Sequence, residues 1–173
     1  MDGFRARKRA GKIFAVFTAL VLMCGAAVYW YVGGQTRTAE KFFSAVASGN
    51  YKNYEQTMAR QGYEESSRSI ETDFKDGCRG YFTSLPQFSD MSETDIISSK
   101  IRIKERAVDG NITKWRLTVD ADFFSSGKSV SYDGLVVSME FDGGKWRIGK
   151  IENNLYGVIA GLGPEADKND SIE

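Results

Sequence analysis

The sequence predicts an α+β protein with one apolar helix long enough to cross a membrane, a group of helices after it, and a twisted antiparallel sheet of about four strands. Three observations predict this. Ile13 to Val32 is an uncharged run of 20 residues. From Thr36 to Pro86 apolar side chains recur at helical spacing, and from about Ile96 the period changes to two.

Charge follows the same division. The 173 residues carry 23 Lys and Arg against 23 Asp and Glu, and no histidine. Up to Lys12 five basic residues stand against one acid, a charge of +4, and from Gly34 onward 18 bases against 22 acids give −4. Without histidine, Ser-His-Asp and Cys-His nucleophiles and His-ligated zinc are excluded.

The uncharged run spans about 30 Å as a helix, the thickness of a bilayer's hydrocarbon core. Arg5, Arg7, Lys8, Arg9 and Lys12 precede it and Tyr29, Trp30 and Tyr31 close it, where an interfacial aromatic belt belongs. This places residues 1–12 in the cytoplasm as a basic flank, 13–33 in the plasma membrane as a single span, and residues 34–163 outside as one domain. Residues 164–173 are then an acidic, disordered tail. Two other readings use the same residues: a cleaved signal peptide ending at Gly25-Ala26-Ala27, and a lipid-modified Cys24. Cys78 lies in the outer part, so the two cysteines do not pair.

The outer domain opens with a helix capped at Thr36 or Thr38, with Ala39, Phe42, Phe43 and Val46 on one face, stopping at Gly49-Asn50. A short helix from Tyr51 to about Arg60 puts Tyr51, Tyr54 and Met58 together. A third carries Ile70, Phe74, Cys78, Tyr81 and Phe82 and ends before Pro86. Gly77 and Gly80 weaken it by about 1 kcal/mol each relative to alanine, a cost that close packing against a neighbour would explain.

The strands alternate. Ile101 and Ile103 interleave with Lys100, Arg102, Lys104 and Arg106, and Trp115, Leu117, Val119, Ala121 and Phe123 interleave with Lys114, Arg116, Thr118, Asp120 and Asp122. Leu135, Val137, Met139 and Phe141 form a third strand and Trp146 and Ile148 a fourth. A two-residue turn at Asp109-Gly110 would oppose apolar and charged residues. A three-residue loop, Asp109-Gly110-Asn111, instead pairs Ile103 with Leu117 and Ile101 with Val119. That register sets Arg106 against Lys114 and Lys104 against Arg116 on the outer face, where opposed like charges cost about a few tenths of a kcal/mol per pair. Gly143-Gly144 as a two-residue turn pairs Phe141 with Trp146, Met139 with Ile148 and Glu140 with Arg147. Val130 and Tyr132 are out of phase with Leu135, so a bulge is expected near Asp133-Gly134.

The pattern Ala39-x-x-Phe42-x-x-Ala45-x-x-x-Gly49-Asn50-Tyr51, followed by two helices and a meander ending in Asp142-Gly143-Gly144-Lys145-Trp146-Arg147-Ile148, resembles the nuclear-transport-factor-2-like superfamily, the cystatin-like α+β cone. The resemblance covers about Thr38 to Glu152. It is strongest with membrane-anchored bacterial members: the N-terminal domain of certain penicillin-binding proteins and the periplasmic domain of the inner-membrane assembly factor of type IV secretion and conjugation systems. The resemblance implies a cone whose sheet wraps the helices around a pocket. Ketosteroid-isomerase-like members need an acidic base inside it and a tyrosine or protonated acid at the oxyanion. Here Tyr51, Tyr54, Tyr63, Tyr81 and Trp115 are candidate pocket residues, while Asp120, Asp122 and Glu140 alternate to the outside and only Glu105 has the inward phase.

The expectation is therefore a module that is not an enzyme and takes no cofactor or metal. Its partner would be another envelope protein or a second copy, met through the basic hairpin Lys100, Arg102, Lys104, Arg106, Lys114 and Arg116. Nucleic acid is not expected, since that face has no stacking aromatics. A cone that binds a small ligand, or acts on one, within the tyrosines is the alternative.

Overall fold

Helix α1, Asp2–Ser48, runs through Gly33-Gly34 without a break in the computed structural model, which describes residues 2–59, 68–92 and 94–152. The separate helix start expected at Thr36 or Thr38 is absent, because two adjacent glycines cost a helix only about 2 kcal/mol in total. By packing, the chain divides into two units, Met1–Gly34 and Gln35–Glu173. In the first, the helix is long and apolar enough to cross a membrane, which suits an anchor or a signal sequence. The expected tail, residues 164–173, lies outside the described residues.

In the second unit α1 buries Ala39, Phe42, Phe43, Ala45 and Val46, the stripe that helical spacing predicts. It ends at Gly49, whose φ of 63° is one that side chains rarely adopt. The Gly49 N–H donates to Val46 O and the Asn50 N–H to Ala45 O, at 3.3 and 2.8 Å. These two bonds close the last turn and satisfy its carbonyls. Asn50 then starts the next helix: its Oδ1 accepts from the Asn53 N–H at 3.0 Å. A Cβ on Gly49 would lie 2.9 Å from Lys75 Cγ and 3.0 Å from its Cα. A close approach of helices is therefore at Gly49; of the two glycines of α3 where one was expected, Gly77 and Gly80, Gly80 faces open space.

Helix α2, Tyr51–Thr57, buries Tyr51 and Tyr54, and the expected end near Arg60 lies outside the described residues. Beyond α2, Met58 bridges Ile148 in parallel and the Ala59 N–H donates to Ile148 O at 2.8 Å. This short segment covers one edge of the sheet. Helix α3, Arg68–Ser84, buries Phe74, Cys78 and Phe82, with the expected spacing.

Four antiparallel strands complete the unit in the order β1-β2-β3-β4: β1 Ser98–Asp109, β2 Asn111–Ser125, β3 Lys128–Asp142 and β4 Lys145–Glu152. Their inner face buries Leu117, Val119, Ala121, Phe123, Leu135, Val137, Met139, Trp146, Ile148 and Ile151. Phe123 joins sheet to helices, its ring 4.9 Å from that of Phe82 and 6.3 Å from that of Phe43.

The last hairpin has the expected register, pairing Phe141 with Trp146, Glu140 with Arg147 and Met139 with Ile148. Both turn glycines have positive φ, 56° and 79°, the conformation that suits the twist of a two-residue hairpin. The bulge expected near Asp133-Gly134 is present between the pairs Val119–Leu135 and Ala121–Tyr132.

The first hairpin departs from the expected register. Ile103 pairs with Val119 and Ile101 with Ala121, two residues further along than alternation suggests. A bulge at Lys104 then reverses the facing of the C-terminal half of β1, so that Glu105 opposes Thr118 and Arg106 opposes Leu117. Arg106 reaches inward to Thr36 Oγ1 at 2.9 Å, and Glu105 is exposed on the outer side. The like-charge pairs Arg106 with Lys114 and Lys104 with Arg116 do not form. The slide and the bulge together replace them with oppositely charged neighbours.

Candidate functional site

The residues expected to line the cone separate into three groups. Tyr51 and Tyr54 are core: both are buried, with Tyr54 4.6 Å from the Phe74 ring and 5.6 Å from that of Phe42. Trp115 is half-buried near the β1–β2 tip and its Nε1–H donates to Ile112 O at 2.8 Å. Tyr63 lies outside the described residues. The structure therefore does not gather Tyr51, Tyr54, Tyr81 and Trp115 around one cavity. Phe42, Phe43, Phe74, Phe82, Phe88 and Phe123 occupy the space between helices and sheet, each almost wholly buried.

Tyr81 is half-buried on α3 and shares a short hydroxyl-to-hydroxyl hydrogen bond with Tyr132 on β3. Burial, and then this bond, hold the Tyr81 phenol well above its ordinary acid constant, so it stays protonated. Alternation in β3 hides Tyr132, since the bulge at Gly134 shifts its phase. Cys78 is buried beside these helices and its thiol is pushed up to about 12 by desolvation, which makes it inert at neutral pH.

Four of the six cations of the first hairpin meet a carboxylate or a hydroxyl. Lys104 Nζ is 2.8 Å from Asp120 Oδ2, Lys114 Nζ 3.3 Å from Glu140 Oε1, and Arg116 Nη2 3.8 Å from Asp109 Oδ2. Arg106 bonds Thr36, and Lys100 and Arg102 stand opposite Asp122 and Asp120. Two of the acids that alternation sends outward, Asp120 and Glu140, are thus ion-paired on this face.

A concave site lies elsewhere. A cleft of about 340 Å³ opens between the end of α1, the exposed side of α3 and the segment leading into β1. Ala47, Met91, Ile96 and Ile97 give it apolar lining, and Lys75 and Arg79, one helical turn apart on α3, line it together with Asp95. Lys75 also borders a second, more open cleft towards Asn50 and Asp76. The α3–β1 segment is tied down at several points. Arg79 Nη2 donates to Ser92 O at 2.7 Å, the Ser92 N–H to Asp95 Oδ2 at 2.8 Å, and Ser126 Oγ bonds Asp95 Oδ1 at 3.3 Å. Lys128 bonds Asp90 and holds its carboxyl below the ordinary carboxylate value. The only trace of this cleft in the sequence is the Lys75 and Arg79 spacing on the polar side of an amphipathic helix. Among the described residues no group of three His, Cys, Asp or Glu side chains could hold a metal ion.

No family model matches the chain, and no curated protein matches it either. Among solved structures, the chain is similar to an LEH-like epoxide hydrolase of M. tuberculosis, at 14% identity and a TM-score of 0.33, over 73% of this chain and 82% of that one. A likeness of this size assigns no activity. The similar structure is nonetheless that of an enzyme, which corrects the expectation that the chain is not one, and that expectation is withdrawn.

Proposed function

We propose that the protein is a membrane-tethered binding module whose folded unit takes a small amphipathic anion in the cleft of Ala47, Lys75, Arg79, Met91 and Ile97. The observation that carries this reading is the cleft itself: about 340 Å³, with apolar residues and two cations against one acid, Asp95, in its lining; both Asp95 oxygens already accept hydrogen bonds, from Ser92 N–H and Ser126 Oγ. Small-ligand sites are of this kind, about 300–1,000 Å³ of mostly apolar lining with a few placed polar groups. The interior of the cone is taken up by phenylalanine rings, which leaves the helical side as the place for a ligand. Lys75 supplies a mobile charge, while Arg79 is fixed by its bond to Ser92 and presents a set geometry. The tether is the apolar helix, and the basic residues before Ile13 set its orientation, N-terminus in the cytoplasm and the folded unit outside.

Saturation-transfer NMR on the full chain in nanodiscs tests this, with phenylacetate and phenethylamine as probes. Phenylacetate binds in preference to the amine, and Lys75→Glu weakens it by about tenfold, or about 1.4 kcal/mol. Equal signals from the two probes, or phenylacetate binding that Lys75→Glu leaves unchanged, would overturn the proposal.

A further inference from the structure

The two clefts beside α3 are the ends of one groove. The apolar cleft at Arg79 and the more open one at Asp76, about 340 and 660 Å³, share Ser48, Gly49 and Lys75 in their lining. Both follow the same side of α3, where Glu71, Thr72, Lys75, Asp76, Arg79 and Thr83 succeed one another at helical spacing. From Glu71 to Thr83 the helix rises about 18 Å, which is room for a ligand of more than one part.

The end of α1 keeps the junction between the clefts low. Gly49 brings only backbone to it, packed so closely that a Cβ would come within 2.9 Å of Lys75 Cγ. Ser48 turns back on its own helix, its Oγ donating to Ser44 O at 2.8 Å. Lys75 is exposed at this junction and can serve either cleft.

Charge is ordered along the groove. On one side of Lys75 stand Arg79 and the apolar Met91, Ile96 and Ile97, together with Asp95, whose two oxygens already hold Ser92 and Ser126. On the other side stand two exposed acids of α3, Glu71 and Asp76, against one base, Lys52. The groove is thus apolar at one end, cationic in the middle and acidic at the other end. A ligand complementary to it is apolar, then anionic, then cationic.

We propose that the groove takes an N-acylated basic amino acid. The acyl group lies among Ala47, Met91 and Ile97, the α-carboxylate meets Lys75 and Arg79, and the side-chain ammonium or guanidinium meets Glu71 and Asp76. This rests on the reading of the apolar cleft as a site for an amphipathic anion, and extends that site across Gly49. A plain amphipathic acid fills only the apolar half. An acidic amino acid in the same place sets like charges against each other, so the second cleft selects among ligands that the first accepts alike.

Amide-shift titrations of the isotopically labelled full chain in nanodiscs at low salt test this, with phenylacetate, N-phenylacetyl-lysine and N-phenylacetyl-glutamate as probes. The lysine conjugate should bind tighter than the glutamate conjugate by about fivefold or more, and its shifts should extend from Arg79 past Gly49 to Thr72 and Asp76. In the double variant Glu71→Gln, Asp76→Asn that preference should vanish while phenylacetate binds as before. Both side chains are exposed, so the fold is retained. Equal affinities of the two conjugates for the parent, or a preference that survives in the double variant, with phenylacetate still bound at the apolar end, overturns the extended groove alone. No binding of phenylacetate or of either conjugate removes the anion site, and the extension with it.

Discussion

Lys104 Nζ stands 2.8 Å from Asp120 Oδ2 at the residue where β1 bulges. The other oxygen of Asp120 accepts from the Gly134 N–H at 3.2 Å, inside the bulge of β3. One carboxylate thus ties two irregularities on either side of β2, and its bond to Lys104 holds its acid constant below the ordinary 3.8. Because the folded value is depressed, this contribution is fully present above about pH 3.8 and is lost as the pH falls through the lower folded value. Asp120→Asn should therefore lower stability at pH 7 and flatten the acid limb of the pH profile. Urea unfolding of both proteins at pH 7 and pH 3 measures it, and an unaltered acid limb would show that Asp120 is not the group responsible.

Gly49 and Gly80 should respond in opposite directions to alanine. At Gly49 the positive φ and the Lys75 backbone 3.0 Å from a new Cβ both oppose it, so a loss of about 1–3 kcal/mol is expected. At Gly80, inside α3 with open space around it, alanine should add about 0.5–1 kcal/mol. Thermal denaturation of the two variants gives the signs directly.

Much of the sheet was legible in the sequence, and the reason differs from strand to strand. Gly143-Gly144 admits one turn geometry, and with it the register of the last hairpin is determined as far as Met139 and Ile148; beyond them an extra residue, Gly149, shifts the pairing to Ser138 with Lys150. The phase break at Tyr132 and Leu135 could arise only from an extra residue, which is Asp133 or Gly134. The first hairpin was not legible because alternation fixes which side chains share a face and leaves a two-residue slide open. Charge favours the observed register: Lys104 beside Asp120, with Lys100 opposite Asp122 and Arg102 opposite Asp120, replaces the opposed cations. Nor does Gly33-Gly34 end α1, since local propensity is a small term there. The cleft was hidden because α1, α3 and the segment before β1 meet only in the folded chain.

Phe123→Ala should be the costliest single truncation in the sheet. Phe123 is fully buried and touches the rings of Phe43, Phe82 and Tyr132, so its loss leaves a cavity shared by helices and strands. A destabilisation of about 3–5 kcal/mol is expected from urea unfolding. A loss under about 1 kcal/mol would mean that the helices and sheet do not pack as described.

Tyr132→Phe removes the hydroxyl partner of Tyr81 and leaves the burial in place. Since burial is the larger cause of the shift, the Tyr81 acid constant should fall only part of the way to its ordinary 10.0. A phenol whose folded value is raised stabilises below its unfolded value and loses that contribution as the pH rises through the folded one. The variant should accordingly lose less stability in alkali than the parent. Spectrophotometric titration at 295 nm and unfolding at high pH track the two quantities.

Binding of an amphipathic anion in the cleft beside Lys75 is what the proposed function requires. Amide chemical shifts of the isotopically labelled full chain, titrated with phenylacetate in nanodiscs, test it most directly. Saturable shifts centred on Gly49, Arg79 and Ile97 are expected, with the amides of Tyr81 and Tyr132 unmoved. Shifts centred on Tyr81 and Tyr132, or none at any residue lining the cleft, would contradict it.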